Sequence, residues 1–361
     1  MEKILHIAEA FGSGVFNYIK NLCLWQCRDF EVYIAYGIRP ETPPDFQKQF
    51  DRRIRFIKVD GFTREIELWK DLRAFLFIQK LVKDICPDII HLHSTKAGVL
   101  GRWAVGNRYP LLYSPHAYSF LMRDCSKGKR ALYRLIEKAS DKKGCITIAD
   151  IEGEYEASRQ VTARAICIPN GINPDEMDGI IAQAERLVEE TRKTTVCMVG
   201  KAVPQKNPEL FNEIALHFPE IDFVWIGSGP LEHKLTSPNI QITGWLNRVE
   251  ATARIMASDI FLFPSAWESL SLALLEVMYI GKPCVVSLAD GNKDVIHTGV
   301  NGYACGKKED YIKAIRELLD DREMAKRLGR KAHSDIVEKY NVYTIEKSYR
   351  ELYKKLGLEG G

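Results

Sequence analysis

TTVCMVGKAVPQKNPEL, residues 194–210, sets an apolar, β-branched run against a Pro-containing turn with two lysines, after which a helical pattern begins. The same order of strand, turn and helix has already filled the first 170 residues, and here it starts again. In the first half the candidate strands are KILHIA (3–8), EVYIAY (31–36), IRFIKV (54–59), DIIHLH (88–93), LLYSPH (111–116), GCITIA (144–149) and AICIP (165–169). Helical patterns lie between them, notably over 14–27, 66–84, 96–105 and 127–140. After the restart come IDFVWIG (221–227), NIQITG (239–244), DIFLFP (259–264) and KPCVVS (282–287). Strands alternating with helices mean β-α units and parallel sheets.

At 361 residues the chain exceeds the usual size of one hydrophobic core, so two domains are expected. IPNGINPDEMDG (168–179) is rich in turn and linker residues and separates the halves. The expectation is an α/β protein of two Rossmann-like, doubly wound parallel-sheet domains facing a central cleft. Residues 1–170 form the first, 171–193 a linker, 194–340 the second, and 341–361 a closing helical segment. Ligands of such sheets bind at the carboxyl ends of the strands.

Hydrophobic residues at 46% and charged residues at 27% exclude disorder. Nothing near the N-terminus has the apolar core of a signal peptide, and no run reaches the length of a membrane span. The nine cysteines are scattered and never form C-x-x-C, which points to reduced core residues of a cytoplasmic protein. Residues 1–170 hold 27 Lys and Arg against 20 Asp and Glu, whereas 171–361 hold 24 against 28. That balance is too weakly basic for a nucleic-acid binder.

Five stretches can carry chemistry. ESLSLALLEVM (268–278) follows a strand and opens a helix near Ser269–Ser271, whose hydroxyls suit capping positions. A helix N-terminus holds phosphate through unsatisfied N–H groups and the helix dipole. Glu276, on the same helix, could accept hydroxyl hydrogen bonds from a sugar ring; a capped amphipathic helix with Glu268 supporting its start fits the spacing as well. Lys201 and Lys206 at the end of 194–200 could clamp a diphosphate, or be solvated loop residues. Gly12, Ser13 and Gly14, between the first strand and first helix, let backbone approach a ligand or simply make a tight turn. HLHSTKAG (91–98) puts two histidines on one strand face, but no carboxylate or cysteine accompanies them and no D-x-D occurs in the chain, so no metal site is expected. His116 sits at a strand end, where a satisfied structural histidine is also common.

Taken together, VGKAVPQKNPEL, IGSGPL (226–231), ITGWLNRVE (242–250), the Glu268-x7-Glu276 block, CIPNGIN (167–173) and HLHSTKAGVLGRWA resemble the retaining sugar-nucleotide glycosyltransferases of family 4, the group 1 type. The resemblance runs in order over nearly the whole chain and implies the GT-B architecture, with the C-terminal helix of 341–361 crossing back to the first domain. It implies that Lys201 and Lys206 hold a donor diphosphate and Glu276 the ribose hydroxyls. Glu268 and the backbone of Ser269, Leu270 and Ser271 would face donor sugar and phosphate. The backbone near Leu246 would meet the base, His116 would sit by sugar and acceptor, and Gly12 and Gly14 would border both. The family usually has Arg at the position of Lys201, two adjacent glycines in place of Gly-Ser-Gly, often Gly at Ser271, and Glu at Asp294. These departures bear on the donor sugar's contacts more than on the reaction.

The implied chemistry is a front-face displacement with retention, in which the departing phosphate helps deprotonate the acceptor; no metal and no cofactor beyond the nucleotide-sugar co-substrate, expected to be a UDP-sugar, is called for. Residues 121–143 hold eight Lys or Arg against three Asp or Glu, with Leu132, Leu135 and Ile136 at helical spacing. That is the pattern of a membrane-surface helix or of a solvated helix face. Relatives with such stretches build O-antigen and capsule units on polyprenyl diphosphate, which makes a lipid-linked saccharide the expected acceptor and the inner face of the cytoplasmic membrane the expected place of contact. A sugar-nucleotide epimerase or hydrolase, and a non-catalytic sugar-nucleotide-binding protein, are the alternatives.

Overall fold

The computed structural model describes residues 1–361 except 41, 64–66, 122–124, 142–143, 189–192, 359 and 361, and the side chain of Ser13. The chain divides into two compact units, Met1–Asn170 with Val342–Gly361, and Gly171–Asn341.

The first unit is built on seven parallel strands, β1 (Lys3–Ala8), β2 (Glu31–Tyr36), β3 (Arg55–Lys58), β4 (Ile89–His93), β5 (Leu111–Ser114), β6 (Ile146–Ala149) and β7 (Ala165–Cys167). Their spatial order is β3-β2-β1-β4-β5-β6-β7. The order reverses between β1 and β4, the switch point at which loops diverge and a ligand crevice opens. Both faces are covered, which is why β1 and β4 read as almost continuous apolar runs rather than alternating ones. Alternate residues nevertheless go to different cores. Ile4, Ala8, Ile89 and Leu112 pack beneath the helices Ser13–Asp29 and Val342–Lys355. Leu5, Ile7, Ile90 and Leu92 pack with Ala74, Ile78 and Ala97 of the helices Leu68–Ile85 and Thr95–Val105.

Helix Val342–Lys355 is part of the first core. Tyr349 and Tyr18 share a hydroxyl–hydroxyl hydrogen bond, Gln26 Nε2 donates to the Tyr353 hydroxyl at 2.8 Å, and Arg350 pairs with Asp29 at 2.5 Å.

The second unit has six parallel strands, β8 (Thr195–Val199), β9 (Asp222–Ile226), β10 (Ile240–Ile242), β11 (Ile260–Phe263), β12 (Cys284–Ser287) and β13 (Tyr303–Cys305), ordered β10-β9-β8-β11-β12-β13. β13 has no counterpart among the expected strands. It is three residues long, bounded by Gly302 and Gly306, too short for any periodicity to register. Of the segment expected to be a linker, 171–193, residues 171–184 are packed structure of this unit, while 185–188 are exposed. Helix Pro174–Ala184 is capped by Asn173, buries Met177, Ile180 and Ala184, and accepts a 2.7 Å hydrogen bond from the Tyr279 hydroxyl at Asp178. Turn residues there mark a cap and a first helical Pro, not a free connection.

Candidate functional site

In the second unit the strand ends converge through glycines. Gly200 N–H donates to Ile226 O, and Ala202 N–H to Ser228 O. A Cβ at Gly227 would lie 2.3 Å from Gly200 O, and one at Gly229 2.6 Å from Ala202 O. Only glycine permits this contact, so the IGSGPL loop is pressed onto the turn carrying the lysines.

That turn places Lys206. Its ammonium donates to Glu268 Oε1 at 2.5 Å and sits 4.4 Å from the centre of the Phe263 ring. The Lys206 and Glu268 side chains are 16% and 6% exposed, so the pair is largely out of water and each charge depends on the other. Gln205 Nε2 donates to Glu268 Oε2 at 3.3 Å and to Trp267 O at 3.2 Å. Lys201 lies exposed at the start of the same turn.

Glu268 leads to helix Leu272–Ile280, whose cap position is Ser271. The hydroxyl capping expected from Ser269–Ser271 does not form at Ser271, which makes no side-chain cap bond. Its carbonyl starts the helix ladder by accepting from Leu275 N–H at 3.1 Å. The first helical N–H groups are therefore not taken up by that hydroxyl, which suits an anion better than the expected cap. The loop is braced from β12's side: Gly291 N–H donates to Glu268 O at 3.1 Å, and a Cβ on Gly291 would fall 1.9 Å from Ser269 O.

Glu276, 23% exposed, is engaged by Arg248 Nη2 at 2.7 Å, and the other arm of that guanidinium holds Glu176 at 2.7 Å. Arg248 opens a helix fixed by a reciprocal capping box between Asn247 and Glu250. Asn-x-x-Glu was a readable signal for that helix start; the pairing with Glu276 was not. Leu246 is half-buried just before it, and its neighbour Trp245 is 87% exposed.

In the first unit Gly12 caps helix Ser13–Asp29 with extended backbone, and a Cβ on Gly14 would meet nothing within 4 Å. His116, just after β5, has φ 51 and Ala117 φ 80, so the chain turns through left-handed backbone here. The ring turns inward. Nδ1 lies 2.9 Å from Asp150 Oδ2, Nε2 lies 3.1 Å from His93 Nδ1, and the Tyr18 ring stands edge-on at 4.6 Å. Burial opposes charge on this imidazole, but the Asp150 carboxylate beside it prevails and raises its pKa. Glu154 accepts from Ala117 N–H at 2.7 Å and Asp150 N–H at 3.0 Å. Burial, and next the charge of Asp150, push Glu154 up to about 7. Neither acid was singled out from sequence, because Asp150 comes to His116 from the end of the neighbouring strand β6 and Glu154 from the helix Glu152–Arg159 that follows it, through sheet order alone.

Behind His116 three more histidines line up. His6 of β1 sits in register with His91 of β4, and Ala8 with His93. His6 Nδ1 is 3.0 Å from His93 Nε2, His6 Nε2 is 2.9 Å from Gln26 Oε1, and His91 Nε2 is 2.9 Å from Ser114 Oγ. All three rings are wholly buried. Burial pulls His6 down to about 4 and holds His91 and His93 well below the usual histidine range.

Comparison with known proteins bears on both units. A family model described as Glycosyltransferase Family 4 matches residues 12–176, and one described as Glycosyl transferases group 1 matches residues 180–335. An Escherichia coli UDP-Gal:alpha-D-GlcNAc-diphosphoundecaprenol alpha-1,3-galactosyltransferase is 28% identical over 84% of this chain and 84% of its own length. A Campylobacter jejuni N,N'-diacetylbacillosaminyl-diphospho-undecaprenol alpha-1,3-N-acetylgalactosaminyltransferase is 23% identical over 86% and 88%. Among solved structures, sucrose-phosphate synthase from Thermosynechococcus elongatus superposes with a TM-score of 0.82 at 17% identity, covering 99% of each chain. That likeness shows the GT-B fold.

Proposed function

The chain belongs to the group 1 glycosyltransferases, and from that premise we propose that it moves a sugar, with retention of configuration, from a UDP-sugar to a polyprenyl-diphosphate-linked saccharide in the assembly of a bacterial surface polysaccharide. The observation that carries this is the grouping of Lys206, Glu268 and the Ser271 helix N-terminus at one sheet edge. A largely buried cation held in place by a carboxylate, together with a row of N–H donors, is what a sugar diphosphate needs at its leaving group.

In this proposal Lys201 and Lys206 hold the diphosphate, and the N–H groups after Ser269 and Leu270 take a phosphate oxygen. Charge grows on that phosphate as the sugar departs, so donors already aimed at it lower the barrier most. Glu268 keeps Lys206 in place and lends an oxygen to the sugar. Glu276 takes the ribose hydroxyls, and the backbone at Leu246 the base, with Trp245 available to stack on it. Gly12 and Gly14 leave room for donor and acceptor. His116, with both ring nitrogens held from within, meets the sugar through the fixed turn it forms with Ala117. No metal enters these steps.

The UDP donor and lipid-linked acceptor are supported by the name of the Escherichia coli relative. The membrane side is supported by helix Lys127–Asp141, which leaves Leu132 54% and Leu135 64% exposed among its lysines and arginines. The buried pair of Arg102 with Glu137, at 2.5 Å, pins that helix to the domain. Arg123, Lys142 and Lys143 of the basic stretch lie outside the described residues. No helix among the described residues is long and apolar enough to cross a membrane.

The test is product analysis: purified protein, a panel of nucleotide sugars, and a short-chain polyprenyl-diphosphate saccharide, with the new linkage assigned by NMR. Transfer from UDP-sugar with an α linkage, undiminished by brief EDTA treatment, is expected. Interconversion or hydrolysis without acceptor would favour an epimerase or hydrolase, binding without turnover a sugar-nucleotide-binding protein, and activity restored only by Mg²⁺ or Mn²⁺ would remove the lysines from the leaving-group role.

A further inference from the structure

We propose that His6, His91 and His93 form a buried binding site for one transition-metal ion that prefers imidazole, set behind His116 and apart from the lysines of the leaving-group site. A ligand nitrogen from each lies within 4.8 Å of the other two. The geometry is set by the sheet. His6 and His91 are neighbours across the β1–β4 pair, and His93 follows on the same face of β4.

What distinguishes this cluster from packed histidines is which nitrogens are already used. His6 Nε2 is held by Gln26 Oε1, His91 Nε2 by Ser114 Oγ, and His93 Nδ1 by His116 Nε2. In each ring one nitrogen is anchored outward and the other is left facing the centre. Ligating histidines have this pattern, because the outer hydrogen bond fixes the tautomer and aims the lone pair. At the centre His6 Nδ1 and His93 Nε2 can share one proton, but His91 Nδ1 is buried with no hydrogen-bond partner among the described residues. Leaving a buried polar atom unsatisfied costs about 1–3 kcal/mol. A cation at the centre satisfies all three.

Three imidazoles suit Zn²⁺ or copper and do not suit Mg²⁺ or Ca²⁺, which take oxygen ligands. The line His93–His116–Asp150 ends in a carboxylate, 2.9 Å from His116 Nδ1, that offsets part of the ion's charge. Because the rings are wholly buried, the ion is taken up as the unit folds rather than afterwards. Brief chelation of the folded protein should leave it in place, which separates this site from the metal-independence of transfer.

The full chain would be unfolded in guanidinium with chelator, then refolded with no metal, with Zn²⁺, or with Cu⁺ under reductant, desalted, and its metal content measured. About one ion per chain is expected for Zn²⁺ or Cu⁺, with a higher unfolding midpoint than the metal-free sample and loss of the ion in His91→Asn. Refolding with Co²⁺ gives a readout that needs no variant: strong visible bands of a low-coordinate, nitrogen-bound ion are expected. No retained ion with either metal, an ion retained equally by His91→Asn, or only the weak bands of octahedral Co²⁺ would each overturn the site.

Discussion

The Lys206 ammonium and the Glu268 carboxylate lie 2.5 Å apart, joining the turn after β8 to the loop after β11, and both are mostly removed from water. Such a pair costs desolvation to form and more to break on one side only. Lys206→Ala should therefore lower stability by ~1–3 kcal/mol and reduce turnover by roughly 10²–10³-fold, the range for a lost charge-stabilising donor. The double variant Lys206→Ala, Glu268→Ala removes the stranded carboxylate and should regain most of the stability while staying inactive. Activity returning together with stability would make the pair structural.

Glu276 is held by Arg248. If its carboxylate takes ribose hydroxyls, Glu276→Ala should weaken nucleotide binding by ~1–3 kcal/mol. Arg248→Ala should change folding by less than about 1 kcal/mol, as for exposed pairs, and leave the nucleotide bound as well or better. Calorimetry with UDP, GDP and ADP decides this; an affinity untouched in folded Glu276→Ala rejects the role.

Gly14 offers a test in which folding and function separate. A methyl group there meets no protein atom within 4 Å, and Ala in a helix is favoured over Gly by roughly 0.5–1 kcal/mol. Gly14→Ala should therefore keep or raise the melting temperature while lowering transfer, because the space belongs to substrate. Full activity in Gly14→Ala would mean that no substrate approaches this turn.

Glu154 links stability to pH. Its carboxyl titrates near 7 in the folded chain against 4.5 unfolded, through burial first and the Asp150 charge second. The folded state thus binds more protons between those values, and its stability is lost as pH rises through them, by ~3 kcal/mol at most. Urea midpoints from pH 5 to 8 should fall less steeply in Glu154→Gln than in the wild type. Parallel curves would show that Glu154 is ionised throughout.

Vesicle sedimentation addresses helix Lys127–Asp141. Wild-type protein should pellet with anionic lipid at low salt and release as salt rises, whereas Lys127, Lys129 and Arg130 all changed to Glu should abolish pelleting. Changing exposed Leu132 and Leu135 to Ser should weaken it too. Equal pelleting of all forms, or none for wild type, would leave a solvated helix face and a soluble acceptor.

The fold was legible from local pattern because parallel strands covered on both faces must be apolar over their whole length. β1 and β2 fall on the expected KILHIA and EVYIAY to the residue, and the restart at 194–200 brackets β8. The strand-to-helix turns that hold the candidate residues were legible for the same reason, since a doubly wound sheet puts its turns at one edge. Partnerships were not. Lys206 with Glu268 spans 62 residues and Arg248 with Glu276 spans 28. His6 meets His93 across 87, and its hydrogen bonds arise from strand order rather than chain neighbourhood. HLHSTKAG by itself shows two histidines and no third ligand. The third comes from the next strand in space, 85 positions before His91 in the chain, because β1 and β4 pair at the switch point. Local physics, chiefly burial and periodicity, determined which segments became strands and helices; which charged and ligating groups met was decided by sheet order and register, a property of the closed structure alone.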